Sequence, residues 1–479
     1  MSPKSDRDLT TLFDTVVNGG YCSGCGACAA VVNSPLKMAL DNYGRLQPTK
    51  KEEVEANNAQ VLAVCPFSDE SLNEDRIGEE LFSSDCTYHD RIGYHLATYA
   101  GYVTEKDFRD RGSSGGMGTW ILNELLNQNL IDEVIHVKQH QPDENDPRLF
   151  RFEISDSIAE IRRGAKSRYY PVEMSEVINL VRQQPARYAI VGVPCFIKSI
   201  RLLAKQDAVI GDRIKFCIGL VCGHLKTTRF ADMFAWQCGI EPGNLQAIDF
   251  RKKMPQQNAN QYGVEMIGTG QEGKIKAIKS NYELYGYLWG QGFFKYPACD
   301  YCDDVVAETA DVTVGDAWLP QYVQDSEGTN VVVVRNPIIQ ESIEAGMRSG
   351  RLRFDVITAD DVAQSQDAGL RHRREGLAYR LYLKDQAGLW RPQKRVKAQA
   401  DHFNKQLRKI HQLRVKMANQ SHVAFLEAIQ AGDFMVFKNQ MQSLVTAYDR
   451  LYQKTLWQKL IIKSKKIIKT FLSKVNIIS

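Results

Sequence analysis

Cys22, Cys25 and Cys28 stand in Cys-x-x-Cys-x-x-Cys spacing with Gly24 and Gly26 between them, and a Cys65-Pro66 pair follows. Cysteines three apart in a tight glycine-containing loop turn their sulfurs toward one centre and leave backbone N–H groups free to face it, which is the ligand pattern of a 4Fe-4S cluster. The chemistry is one-electron transfer. Zinc takes the same soft ligands but favours two separated Cys-x-x-Cys pairs over a three-cysteine run followed by Cys-Pro. Disulfides suit the chain poorly, because eleven cysteines cannot all pair internally and the N-terminal MSPKSDRDLTTLF has no apolar signal core. A reducing, cytoplasmic setting is therefore expected.

A second constellation is dispersed. Cys195 closes a strand in GVPC, Cys222 closes another in GLVCGH, and Cys299 and Cys302 form Cys-x-x-Cys in YPACDYCDD. Strand-end residues from different parts of one sheet converge on a single edge, where functional groups collect. By spacing alone these four either hold a second cluster or serve as small buried apolar residues. Cys217 within IKFCIGL, and Cys86 and Cys238, lack partners at ligand spacing and are expected to be structural. The loop Gly112-Ser113-Ser114-Gly115-Gly116 runs into a helix expected to begin near Thr119, an arrangement that can cradle a phosphate. It matches neither standard nucleotide fingerprint, so a tight turn or linker fits equally well. Iron-sulfur centres that act on organic substrates need a one-to-two-electron converter, which makes a flavin the coherent occupant. Lys166, Arg168 and Tyr169 in GAKSRYYPV offer charge and stacking to it, or form a solvated basic loop.

These residues need a scaffold. The 479-residue chain, 43% hydrophobic and 25% charged with a net charge of +4, has the composition of a globular protein of two or three domains. ATYAGYVTE reads as a strand, TWILNELLNQNLIDEVIHV as a helix running into a strand, and RYAIVGVPCFIKSIRLLAK as a strand from Tyr188 to Gly192, a Pro194-Cys195 turn and an amphipathic helix. The expected fold is mixed α/β: a ferredoxin-like module over 1–92, a central α/β domain over 93–365, and a basic helical extension over 366–479.

The ordered set CSGCGAC, GSSGGM, KSRYY, VGVPCFIKSIR, GLVCGH, CDYCDD and ADVTVGDAW resembles the coenzyme F420 hydrogenase/dehydrogenase beta-subunit family, which includes reductases of the 7-hydroxymethyl chlorophyll a reductase type. The resemblance covers about residues 15–345. It implies FAD and 4Fe-4S in the α/β domain, with Pro194-Cys195, Cys222-Gly223, Cys299 and Cys302 matching the family's cluster motifs. It also places Ser114, Gly115 and Gly116 at the flavin phosphates, Lys166 near the flavin, and Gly315-Asp316 in the active-site wall. Asp316 is the candidate carboxylate for orienting substrate or relaying a proton, and His224 the other proton donor; a turn cap and a structural histidine are the plain alternatives. The implied sequence runs from a ferredoxin-like donor or partner redox subunit through two clusters to FAD, and then as hydride to a small-molecule acceptor, or in reverse from a reduced deazaflavin. The other classes that remain are an electron-transfer subunit without its own substrate site and a metal-stabilised assembly protein.

Basic residues gather beyond about 370. The final LYQKTLWQKLIIKSKKIIKTFLSKVNIIS has seven lysines and no acidic residue, and Trp457, Leu460, Ile461, Ile468, Phe471, Leu472 and Val475 form an apolar stripe at helical spacing. Such a helix rests on an anionic membrane surface, docks on a partner or packs on its own domain, so a peripheral position at the inner membrane is an expectation. No aromatic-interleaved basic platform accompanies the charge, and nucleic-acid binding is not expected.

Overall fold

The computed structural model describes residues 4–52, 60–144 and 146–453. The apolar runs Tyr188–Gly192, Ile214–Leu220, Val312–Asp316 and Asn330–Val334 are strands covered on both faces, as their near-continuous hydrophobicity requires. They form the middle of an eight-stranded sheet, in the order Leu352–Val356, Ala97–Val103, Asn330–Val334, Val312–Asp316, Ile214–Leu220, Tyr188–Gly192, Glu133–Gln139, Phe150–Ser155. The four strands from Val312–Asp316 to Glu133–Gln139 are mutually parallel, and the others pair antiparallel. The fold class is mixed α/β. Helix Met117–Asn127 covers one face with Trp120 and Ile121, while Pro194–Gln206 packs Phe196, Ile197, Ile200 and Leu203 into the other core.

Parallel strands end together, and this sets the positions of the chemistry-bearing residues. Gly192 leads into Pro194-Cys195, Leu220 into Cys222, and Asp316 ends its own strand, all on the carboxyl edge of the sheet. The N-terminal segment docks close to that edge. Its short helix Ala27–Ala30 contacts helices Ser175–Gln183 and Pro194–Gln206, and Met174 N–H donates to Cys25 O at 3.0 Å. A hairpin, Leu36–Leu40 with Leu46–Lys50, is tied in when Leu46 N–H donates to the Tyr296 hydroxyl at 2.8 Å.

Two features were not expected. Strands Leu245–Lys252, Gly263–Gly270 and Gly273–Ser280 form a separate antiparallel sheet, backed by the helical hairpin Lys405–Ala431 and Phe434–Tyr452 through Phe294, Phe425 and Phe437. The basic segment after 366 is helical in part, yet it turns much of its charge inward: Arg373 and Arg380 are each 2% exposed. Between helices, the irregular stretch from 387 to 404 crosses the N-terminal segment. Tyr21 donates to Trp390 O at 3.0 Å and Gln393 N–H to Asp69 Oδ1 at 2.7 Å. Arg395 then reaches Asp75 at 2.6 Å, Glu308 at 2.7 Å, Asp303 at 3.4 Å and Glu74 at 3.7 Å. The lysine-rich stripe from Trp457 to Val475 lies outside the described residues. No described helix is long and apolar enough to cross a membrane.

Breaking a buried ion pair by removing one partner leaves an uncompensated charge, which costs about 3–5 kcal/mol. Arg395→Met is therefore expected to lower the unfolding free energy measured by chemical denaturation by an amount of that order. A loss below about 1 kcal/mol, the range of surface pairs, contradicts this role for the network.

Candidate redox site

Cys22, Cys25, Cys28 and Cys65 line one small cavity of about 20 Å³, walled otherwise by side chains such as Leu12, Val16, Pro48 and Pro66. The glycines between them are required by close approach. A Cβ on Gly26, at φ 83°, would meet the carboxylate of Glu173 and lie 3.0 Å from Met174 N, and one on Gly24, at φ 72°, would lie 2.7 Å from Leu46 O. Gly24 N–H donates to Cys22 Sγ at 3.4 Å, the backbone-to-sulfur contact expected of a cluster loop. Burial and the neighbouring thiols push Cys28 well above the usual thiol range, and burial followed by Cys25 pushes Cys65 up to about 12. Thiols so buried and so mutually repelling are stabilised as thiolates by a bound cationic centre.

The dispersed cysteines do converge. Cys195 is pushed well above its ordinary value by burial and then by Cys302, Cys222, Cys25 and Cys299, so its neighbours are the other three members of its set and one member of the first. Leu225 N–H donates to Cys299 Sγ at 3.2 Å. Arg373 spans the set, with Nη1 2.9 Å from Cys302 Sγ and Nη2 3.6 Å from Cys222 Sγ. Among the described residues no group of three or more His, Cys, Asp or Glu is drawn together closely enough to hold a metal ion. Cys217 is buried in its strand, Cys86 donates to Arg335 O at 3.3 Å, and Cys238 packs beside the aromatic core, all apart from both sets.

A cavity of about 920 Å³ opens beside the second set. Cys222 and Ser23 both line it, so one chamber touches a ligand of the second set and the loop that carries the first. Ser113, Ser114, Gly116, Lys166, Arg168, Tyr169, His224 and Asp316 are in its wall; Gly115 and Pro194 are not. Gly115 is pressed against strand backbone instead, where a Cβ would lie 2.8 Å from Gly101 O and 2.9 Å from Asn330 N. Pro194 opens the helix Pro194–Gln206, where a missing N–H costs nothing. Gly116, at φ 86°, starts helix Met117–Asn127 two residues before the expected Thr119. Ser113 Oγ accepts from Ser167 N–H at 2.9 Å, joining the glycine-rich loop to the Lys166–Tyr169 segment.

The wall carries seven Lys and Arg side chains against two Asp. Lys166 lies 3.4 Å from Asp249, and burial brings Arg168 down to about 10 with its Nε lacking a hydrogen bond. Asp316 is held by Arg251 through contacts of 3.0 and 3.3 Å, and the same guanidinium donates to the Tyr169 hydroxyl at 3.2 Å. Asp316 is thus a fixed anion in a bidentate pair. His224 packs on Trp289 with centroids 4.3 Å apart, and its Nε2 has no hydrogen-bond partner. Burial, then Lys226, Lys295, His372 and Arg373, hold it well below the usual imidazole range. Arg251 and Arg373, the two cations in direct contact with predicted site residues, carried no spacing signal; only the basic run RHRR marked the second.

Two family models match the chain, both describing the beta subunit of coenzyme F420 hydrogenase/dehydrogenase: the one for its N-terminal part matches residues 98–179, and the one for its C-terminal part matches 186–360. Together they cover more than half of the chain, which belongs to this family and is an oxidoreductase of the hydrogenase beta-subunit type. Among solved structures, a chain of the F420-reducing [NiFe] hydrogenase complex from Methanosarcina barkeri is similar at 15% identity and a TM-score of 0.44, covering 60% of this chain and 94% of that one. No curated protein matches.

Burial brings His136 and His422 down to about 4 and His411 to about 3, against an ordinary value near 6.5. The folded chain therefore refuses protons that the unfolded chain accepts. Their stabilisation is complete above pH 6.5 and is lost as pH falls toward 4, by up to about 1.4 kcal/mol per pH unit for each ring. Denaturation midpoints measured from pH 7.5 to 5 should fall below pH 6.5; a flat profile contradicts these assignments.

Proposed function

We propose that the chain is an iron-sulfur flavoprotein oxidoreductase, with one 4Fe-4S cluster on Cys22, Cys25, Cys28 and Cys65, a second on Cys195, Cys222, Cys299 and Cys302, and FAD in the large cavity. When bound, the clusters supply one-electron relay and the flavin supplies conversion to hydride for a small-molecule acceptor. The observation that carries this reading is continuity: Cys25 neighbours Cys195, and Cys222 lines the chamber that also holds the glycine-rich loop.

The residues have separable tasks. Ser113 and the start of helix Met117–Asn127 offer a hydroxyl and the positive end of a helix to a pyrophosphate, with Lys166 and Arg168 adding charge, while the Ser114 hydroxyl donates to Thr329 O at 3.0 Å and holds the loop in place. Tyr169 and Trp289, packed edge to face at 4.8 Å, give the chamber an aromatic wall for a flat ring. Arg251 fixes Asp316 in orientation, and His224 holds one unsatisfied nitrogen toward hydrogen bonding in the chamber. Residues 1–92 act as the electron entry module, 93–365 as the catalytic domain, and the described part of the C-terminal extension, 366–453, as the brace that supplies Arg373 and Arg395. The outside partner is a ferredoxin-like carrier or a partner redox subunit, and the same path runs outward when a reduced deazaflavin is the donor.

Anaerobic purification with iron, sulfide and flavin analysis tests this directly. About eight irons and about one FAD per chain are expected for two cubanes and one flavin. Cys222→Ser is expected to lose about half of the iron. The pair Lys166→Ala with Arg168→Ala should keep the iron and weaken FAD binding about tenfold, or 1.4 kcal/mol. Zinc in place of iron with no flavin would overturn the reading.

A further inference from the structure

The two sulfur sets are buried alike but are not charged alike. Around the first, the direct donors are uncharged: Gly24 N–H contacts Cys22 Sγ, and backbone and seryl groups serve the remaining thiols. The nearest cations act on it through space, and one of them, Lys198, is committed to Glu74 at 3.3 Å. The second set carries a guanidinium. Arg373 ends the helix Asp367–Arg373, is 2% exposed, and aims Nη1 at Cys302 Sγ and Nη2 at Cys222 Sγ. Its other partners are carbonyls, Asp304 O and Gly223 O, the latter at 2.8 Å. Its Nε makes no hydrogen bond, and among the described residues no carboxylate forms an ion pair with it.

A buried cation without a carboxylate is costly unless another anion answers it. Among the described residues, the side-chain acceptors that Arg373 contacts are the sulfurs of Cys302 and Cys222. A positive charge and N–H donors on ligand sulfurs favour the more negative, reduced state of a cluster and so raise its potential. Of the nearby carboxylates, Asp303 and Glu308 are answered by Lys394 and Arg395, and that of Asp304 accepts from the backbone N–H groups of Val306 and Glu308 at 2.9 Å.

Resting on the two-cluster reading above, we infer that Arg373 is a positioning residue that sets the cluster of Cys195, Cys222, Cys299 and Cys302 at a higher reduction potential than the cluster of Cys22, Cys25, Cys28 and Cys65. One electron leaves the first and enters the second, and no bond or proton changes hands. The gradient points toward the flavin chamber. The chain is thereby biased to deliver electrons inward from its one-electron carrier, and outward flow requires a strongly reducing donor at the chamber.

The test is a redox titration of the full chain, loaded anaerobically, followed by electron paramagnetic resonance with iron analysis of the same samples. Wild type should show two midpoints. In Arg373→Gln the upper one should fall so that, at a fixed potential, the reduced-to-oxidised ratio of that cluster drops at least tenfold, equivalent to about 59 mV for one electron. The lower midpoint should stay within a twofold ratio. Arg373→Lys, which keeps one charge but cannot span both sulfurs, should fall between. An iron-replete Arg373→Gln with unchanged midpoints overturns the inference, as does an equal shift of both clusters, which would mark Arg373 as a packing residue. Should Arg373→Gln lose iron, an iron-replete Arg373→Lys with wild-type ratios overturns it equally. Failure of the underlying reading is distinct, because it appears in the wild-type iron content before any variant is made.

Discussion

The buried ion network around Arg395 is the contact on which the rest of the site depends. It joins four stretches that are far apart in sequence: Glu74 and Asp75, Lys198, Asp303 with Glu308, and Lys394 with Arg395. Two of them lie beside cysteines of the two sets. Lys198 follows Cys195 by three residues on one helix and donates to Pro66 O at 3.3 Å, next to Cys65; Asp303 directly follows Cys302. Although burial raises Asp303, Lys394 and Arg395 hold it well below the usual carboxylate range. Charges desolvated to this degree are stable only when all partners are in place, so the network fixes the first sulfur set against the second in one arrangement.

From that arrangement follows the character of the chamber. Its floor is the carboxyl edge of a parallel sheet, the usual place for a ligand in such folds. Its wall is strongly cationic, its carboxylate Asp316 is locked to Arg251, and its histidine His224 is held neutral by burial and surrounding cations. The wall thus combines seven cationic side chains with the aromatic rings of Tyr169 and Trp289.

Local chemistry was legible in the sequence, and long-range charge was not. The run from Cys22 to Cys28 declares itself because ligand spacing is a local property, and Tyr188–Gly192 has the expected limits because a continuous apolar run between turn residues leaves little choice. Convergence of Cys195, Cys222, Cys299 and Cys302 needed the parallel topology as well. The sheet of Leu245–Ser280 escaped notice because Gly263, Gly268 and Gly270 interrupt its strand pattern and its last strand is lysine-rich and half exposed. Arg251, Arg373 and Arg395 stand at no spacing that marks them as site residues. Their partners lie 65 residues or more away, at Asp316, Cys302 and Glu308, and only the folded chain turns these side chains inward. Gly115, grouped with the phosphate loop by its neighbours, is instead the residue that lets that loop lie against the strands.

If both cysteine sets hold clusters as proposed, the two centres sit side by side, because Cys25 and Cys195 are neighbours. Electron paramagnetic resonance of the fully reduced protein addresses it most directly. Two reduced clusters held this close interact magnetically, and the predicted spectrum is broadened and split, simplifying to a single-cluster signal when the protein is half reduced. A fully reduced spectrum equal to the sum of two independent signals, or one showing a single cluster only, would contradict the account.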